Sequence, residues 1–234
     1  VSAASAWTYP RQAPGFLAED AETPGEKLDA YSINGANHWY TMENQKVLLS
    51  LNEMAQSAMP AGSLRDVSSG PAIWATESFI DELAHAMGTD PLALRLSMLD
   101  GAGHNAGSGI TAGGATRLAK VLKLAAEKAG YGGDLGPDRA IGLAVSSSHT
   151  RATAVFIAGA ADVSVRRANG TFRVEKLTLA IDVGTAVNPE GIRAQVTGAA
   201  MWGLSTALHE EGGFAKDRIK ASRFDTYHPQ RIRA

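Results

Sequence analysis

The chain has 234 residues, 44% hydrophobic and 20% charged, enough for one large globular domain or two small ones. A formal net charge of -2 sets up no overall field that would select nucleic acid or an anionic membrane. Cysteine is absent, which excludes disulfides, thiolate catalysis and a cysteine-held iron–sulfur cluster within the chain.

No apolar stretch reaches the length of a membrane span. Charge is uneven: residues 1–30 hold five acids against Arg11 and Lys27, and residues 214–234 hold six basic residues against Asp217 and Asp225. Two solvated ends account for this most simply. The chain starts at Val1 without a basic-then-apolar leader and stops abruptly at "YHPQRIRA", so it reads as a mature protein or an internal piece.

In chain order, residues 1–45 carry no sustained period and read as irregular structure. "KVLLSL" (46–51) reads as a short buried strand, and the Gly/Pro-punctuated stretch after it as a connecting loop. "TESFIDELAHAMG" predicts a helix with Phe79, Ile80, Leu83 and Met87 on one face, Glu77 in the first turn and Gly88 as the stop. "DPLALRLSMLDG" predicts a second, capped by Asp90, opened by Pro91 and striped by Leu92, Leu96 and Leu99. A third is expected over 115–129, with Leu118, Val121, Leu122 and Ala125 inward and Gly130 at its end.

From residue 140 the pattern turns to strands. "AIGLAVSSS" is short and apolar, and "TAVFIAGAADVSV" places Val155, Ile157, Ala161, Val163 and Val165 on one face. Asn169-Gly170 signals a hairpin turn. In the return strand Phe172 and Val174 share one parity, while Leu177, Leu179 and Ile181 share the other, which predicts a bulge near Glu175-Lys176. The hairpin is expected to pair about 154–166 with 171–182. "NPEGIRAQVTGAAMWGLS" then predicts a long helix with Ile192, Val196, Ala200, Leu204 and Leu208 at i+4 spacing. The expected class is α+β: helices, then an antiparallel hairpin and a covering helix, not alternating βαβ units.

Few residues invite chemistry. "GAGHNA" (101–106) has the letters of a dinucleotide fingerprint, but its glycines follow an expected helix where the motif requires a strand, so a dehydrogenase reading rests on little. The six histidines make no metal pattern; His209 precedes Glu210 and Glu211, yet a site needs three or four converging ligands. Arg65, in the Gly/Ser-rich loop "GSLRDVSSGPA", could grip a carboxylate, a phosphate or a developing oxyanion. On spacing alone, a surface ion pair with Asp66 or Asp81 is the simpler account. Gln195 lies on or beside the apolar stripe of the last helix, so its amide needs partners. A bridge to neighbouring backbone and a bond to a polar cofactor remain even alternatives, the nearby glycines favouring close approach of a ligand.

"RDVSSGPAIWATESFIDELAHAMGTDPLALRLSML", "RAIGLAV" and "FRVEKLTLAIDVGTAVNPEGIRAQVTGAAMWGLSTAL" occur in the order seen in the xanthine dehydrogenase/aldehyde oxidase family. Over roughly residues 46–230 the chain resembles that family's molybdenum-binding large subunit, nearest to the bacterial isoquinoline 1-oxidoreductase and aldehyde dehydrogenase type. The resemblance implies a molybdopterin dinucleotide, an aldehyde or N-heterocycle as substrate, oxygen drawn from water, and electrons leaving through a [2Fe-2S] small subunit. It implies the end of a first molybdenum-binding domain over 1–134 and the start of a second over 135–234. By position, Gln195 matches the helix glutamine that holds the pterin, and Asp182, Gly184, Asn188 and Pro189 match the turn that seats this helix. That places Gln195 facing the cofactor cleft. Arg65 matches the arginine on the substrate side of the molybdenum.

Three departures accompany the match. Ser68 stands where the family's loop carries glycine, and the family's glutamate base, in a Gly-x-Gly-Glu segment, has no counterpart in these residues. The upstream glutamine- and glycine-rich cofactor loops have none either. The expectation is a wall of the site, inactive alone, either a segment of the large chain or a split subunit with the remainder of the large subunit as a separate chain. A periplasmic location is expected, the cytoplasm being the alternative. The rival from another class is a non-catalytic α+β binding or assembly module that keeps the scaffold.

Overall fold

A computed structural model describes residues 17–19, 27–29, 35–36, 38–47, 69–102, 114–148, 154–215 and 218–231. The chain divides into two compact units, Val1–Gly184 and Thr185–Ala234. The boundary drawn from the resemblance, between residues 134 and 135, falls inside the first.

Within the stretch read as irregular, β1 (Leu17–Glu19) and β2 (Lys27–Asp29) pair antiparallel. Of the strand expected over 46–51, Lys46 and Val47 lie outside any strand and the rest outside the described residues.

Helix α1 runs over Ser69–Met87, seven residues longer at its start than "TESFIDELAHAMG" suggests. Pro71 falls in its first turn, where an amide has no intrahelical acceptor, so Gly70-Pro71 opens the helix and does not close a loop. Glu77 is therefore two turns inside the helix. The buried residues are Ala72, Glu77, Ile80 and Ala84, whereas Phe79 and Met87 are exposed, so the inward face is rotated from the expected one. Gly88 ends the helix as expected.

Helix α2 (Pro91–Met98) starts as read: the Asp90 side chain accepts from the Ala93 amide at 2.8 Å and Pro91 opens the first turn. Leu94, Arg95 and Leu99 are buried, with Leu92 and Leu96 only partly so. Helix α3 (Gly114–Ala129) buries Leu118, Val121, Leu122 and Ala125, the four residues its period selected. Its first residue must be glycine, because a Cβ there would lie 2.2 Å from the Trp39 indole.

Strands β3 (Arg139–Ser148), β4 (Val155–Arg166) and β5 (Thr171–Asp182) form an antiparallel sheet in the order β3-β4-β5. The hairpin pairs as expected, and its register shifts where predicted: Asp162 faces Lys176 and Val163 faces Val174, leaving Glu175 as the extra residue. The Ser164 hydroxyl donates to the Glu175 carboxylate at 2.7 Å.

Alternation sets one parity of β4 inward, and it is the small one. Phe156, Ala158 and Ala160 are buried, together with Leu143 and Val145 of β3 and Ala180 of β5. The β-branched face that ends in Val165 lies on the more open side, with Phe172, Leu177 and Leu179. Alanines let a helix come close, and the large side chains of α3 fill the space. The helix on this sheet is thus α3, which precedes it in sequence. The expected covering helix, α4 (Pro189–Leu208), belongs to the second unit.

In that second unit the stripe Ile192, Val196, Ala200, Leu204 and Leu208 is half-buried, and Ser205 is the buried residue of the helix. The Ser205 hydroxyl donates to Glu210 at 2.5 Å and accepts from the Gln230 amide at 2.9 Å. Tyr227 donates to the other Glu210 oxygen. These bonds tie the last described turn to the end of α4. Strands β6 (Phe214–Ala215) and β7 (Arg218–Ile219) form a small antiparallel pair.

Candidate cofactor-binding site

Strand β5 ends at Asp182, whose carboxylate is gripped at both oxygens by Arg117 from the first turn of α3. Nε donates to Oδ2 at 2.7 Å and Nη2 to Oδ1 at 2.5 Å. The same Oδ1 accepts the Gly184 amide at 2.9 Å, and Gly184 sits at φ +72° in the left-handed region that favours glycine. Arg117 lies over the Phe156 ring, 4.5 Å from its centroid. The Arg117 hydrogen bonds, then that of Gly184, draw the Asp182 carboxyl down to about 2, so it is ionised throughout the physiological range.

In the second unit Asn188 caps α4. Its side chain accepts from the Gly191 amide at 3.0 Å and Pro189 takes the first turn. A Cβ on Gly191 would press on the Asn188 side chain at 3.0 Å, so that glycine belongs to the cap. Gln195 is exposed, where its place beside the apolar stripe suggested burial. A Cβ on Gly198 or Gly203 would meet nothing within 4 Å, so neither glycine is pressed against a neighbour. Gln195 and Gly198 thus both lie on exposed parts of α4, one turn apart.

Arg65 and Ser68 lie outside the described residues, as do His104, His149 and most of "GAGHNA". Gly101 follows α2, a helix, which removes the dinucleotide fingerprint. No group of three metal-ligating side chains occurs among the described residues.

A buried charge cluster is the feature that sequence reasoning missed. Glu77 accepts from Tyr40 Oη at 2.8 Å, from Arg95 Nε at 3.0 Å and from the Val145 amide on the outer edge of β3 at 3.0 Å. Arg95 also donates to Asp81 at 2.6 Å and to the Glu77 carbonyl at 3.1 Å. Burial pushes the Glu77 carboxyl up and Arg95 draws it back. Three donors converge on it, so the carboxylate is the form that satisfies them all. The signal was present: Arg95 falls between Leu92 and Leu99 at helical spacing, and Glu77 precedes Ile80 and Ala84 in the same way.

A molybdopterin cofactor-binding domain family matches residues 50–234. A membrane-bound aldehyde dehydrogenase [pyrroloquinoline-quinone] of Gluconacetobacter polyoxogenes is 36% identical over 98% of this chain and 30% of its own length. A nicotinate dehydrogenase subunit of Pseudomonas putida is 29% identical over 80% of the chain and 16% of its own length. The beta subunit of isoquinoline 1-oxidoreductase of Brevundimonas diminuta is 28% identical over 70% of the chain and 19% of its own length. The chain thus spans less than a third of each of these relatives. No helix of the described residues is long and apolar enough to cross a membrane. With the family match covering most of the chain and relatives that are aldehyde and N-heterocycle oxidoreductases, the chain belongs to the molybdopterin-binding large subunits of the xanthine oxidase family.

Proposed function

We propose that the chain is part of a molybdenum hydroxylase that oxidises an aldehyde or hydroxylates an N-heterocycle with water-derived oxygen and passes electrons to a [2Fe-2S] partner subunit. The observation that carries the reading is the molybdopterin cofactor-binding family match over residues 50–234, with relatives named for an aldehyde, nicotinate and isoquinoline. Gln195, an exposed residue of α4 with open space at Gly198, is the side chain proposed to meet the cofactor. An amide offers donor and acceptor together, the pattern that the polar edge of a pterin requires, and bare helix backbone lets a flat ligand approach. The donor and acceptor chemistry of these residues suits a pterin, and the dinucleotide form is the one that the resemblance implies. Gln195 would bond to the pterin, and Gly184 would offer its backbone carbonyl, its N–H being held by Asp182. Asn188 would act by fixing the start of α4, because its side-chain oxygen is engaged by Gly191.

When bound, the cofactor supplies the two-electron redox chemistry. Arg65 would orient the substrate or stabilise negative charge at it. The relatives' names, with an aldehyde, nicotinate and isoquinoline among them, support the substrate class. A periplasmic location belongs to the same proposal and rests on the resemblance alone.

One relative's name carries pyrroloquinoline quinone, so the experiment must separate two cofactors. The chain is purified with the polypeptides it assembles with from a host that makes molybdenum cofactor. Molybdenum is measured by plasma mass spectrometry, pterin by fluorescence after oxidation, and quinone by chromatography. Equimolar molybdenum and pterin is the expected result. Quinone without molybdenum would overturn the cofactor, and neither would favour the non-catalytic module.

A further inference from the structure

Arg117 is placed to do more than pair with a surface acid. Its guanidinium is fixed on one face by Phe156, which is fully buried, and on one edge by both Asp182 oxygens. Phe156 and Asp182 are themselves cross-strand partners, so ring and carboxylate have a set spacing. The third contact of the carboxylate is the Gly184 amide, which it holds in a left-handed turn. The run from Phe156 through Arg117 and Asp182 to Gly184 lies wholly in the first unit.

We propose that Arg117 is a positioning residue for the cofactor site: by clamping Asp182 it fixes the Gly184 peptide in the orientation that meets the pterin. The proposal rests on the function put forward above. A lysine at 117 keeps the charge but has no planar fork to hold two oxygens and no flat face to stack on the ring. Asp182 would then rotate, and its hold on the Gly184 amide would loosen. A bidentate pair stacked on a buried ring also contributes to stability, so the deciding readout is exchange at Gly184 itself, which a global loss of stability would not single out.

The test compares wild type, Arg117→Lys and Asp182→Asn by amide hydrogen exchange at Gly184, melting temperature, and molybdenum and pterin content of the assembled protein. The expected result for Arg117→Lys is a folded protein with a modestly lowered melting temperature, exchange at Gly184 faster by about tenfold while core amides stay protected, and a several-fold loss of pterin. Asp182→Asn, which keeps the shape and loses the charge, should move exchange and pterin content the same way. Unchanged exchange at Gly184 in both variants overturns the proposal, and so does faster exchange with full pterin content. If wild type itself holds no pterin, the function proposed above fails and takes this role with it. Full occupancy in wild type and variants alike defeats only the role of Arg117.

Discussion

Arg95 carries its charge with no exposed side-chain surface, and the residues that make this tolerable come from three parts of the first unit: Glu77 and Asp81 of α1, Tyr40 before it, and the Val145 amide of β3. Glu77 closes the outer edge of the sheet at Val145 while it neutralises the guanidinium. Removing one partner leaves the other charge buried and uncompensated. Arg95→Ala is therefore expected to cost about 3–5 kcal/mol, read from chemical denaturation of the chain. A loss under about 1 kcal/mol would show that water reaches Glu77 and that the cluster is a surface feature. Both charges were visible at in-face helical spacing. Their pairing was not, because sequence spacing states which face a residue occupies and never which distant residue meets it.

At the scale of elements, period and parity were the readable quantities. The start of α2, the inward residues of α3 and the extra residue Glu175 all follow from local pattern, and each is where the sequence put it. The choice between the faces of β4 did not follow. β-branched residues mark a strand, but alanines mark the side where a helix comes closest, and only the packing of α3 decides which face is core. The same contrast gives a test. Phe156→Ala empties a site with no exposed surface and should cost about 3–5 kcal/mol in denaturant unfolding. Phe172→Ala, on the open face at 57% exposure, should change stability by no more than about 0.5 kcal/mol. Equal costs would mean that both faces of the sheet are packed in this chain.

At the scale of the whole molecule, the family was legible because two blocks, around α1–α2 and from Asp182 to Ser205, carry dense position-specific signals. The local geometry of the proposed site was legible only in part. Gly184 takes the left-handed turn and Asn188 the cap that the sequence indicated, while the Arg117–Asp182 pair was unreadable, since its members lie 65 residues apart. Gln195 reads differently in three dimensions: its place beside the stripe suggested burial, and the second unit leaves it exposed on α4. In the proposed function, the cofactor covers this residue and the open helix surface at Gly198. The most direct measurement is cofactor retention by Gln195→Ala in the assembled enzyme, with pterin and molybdenum followed during dialysis. Loss of the amide should weaken retention by about 1–3 kcal/mol, roughly 5- to 150-fold, with the fold intact. Unchanged molybdenum, pterin and turnover would contradict the account and leave Gln195 an ordinary polar residue on a helix surface.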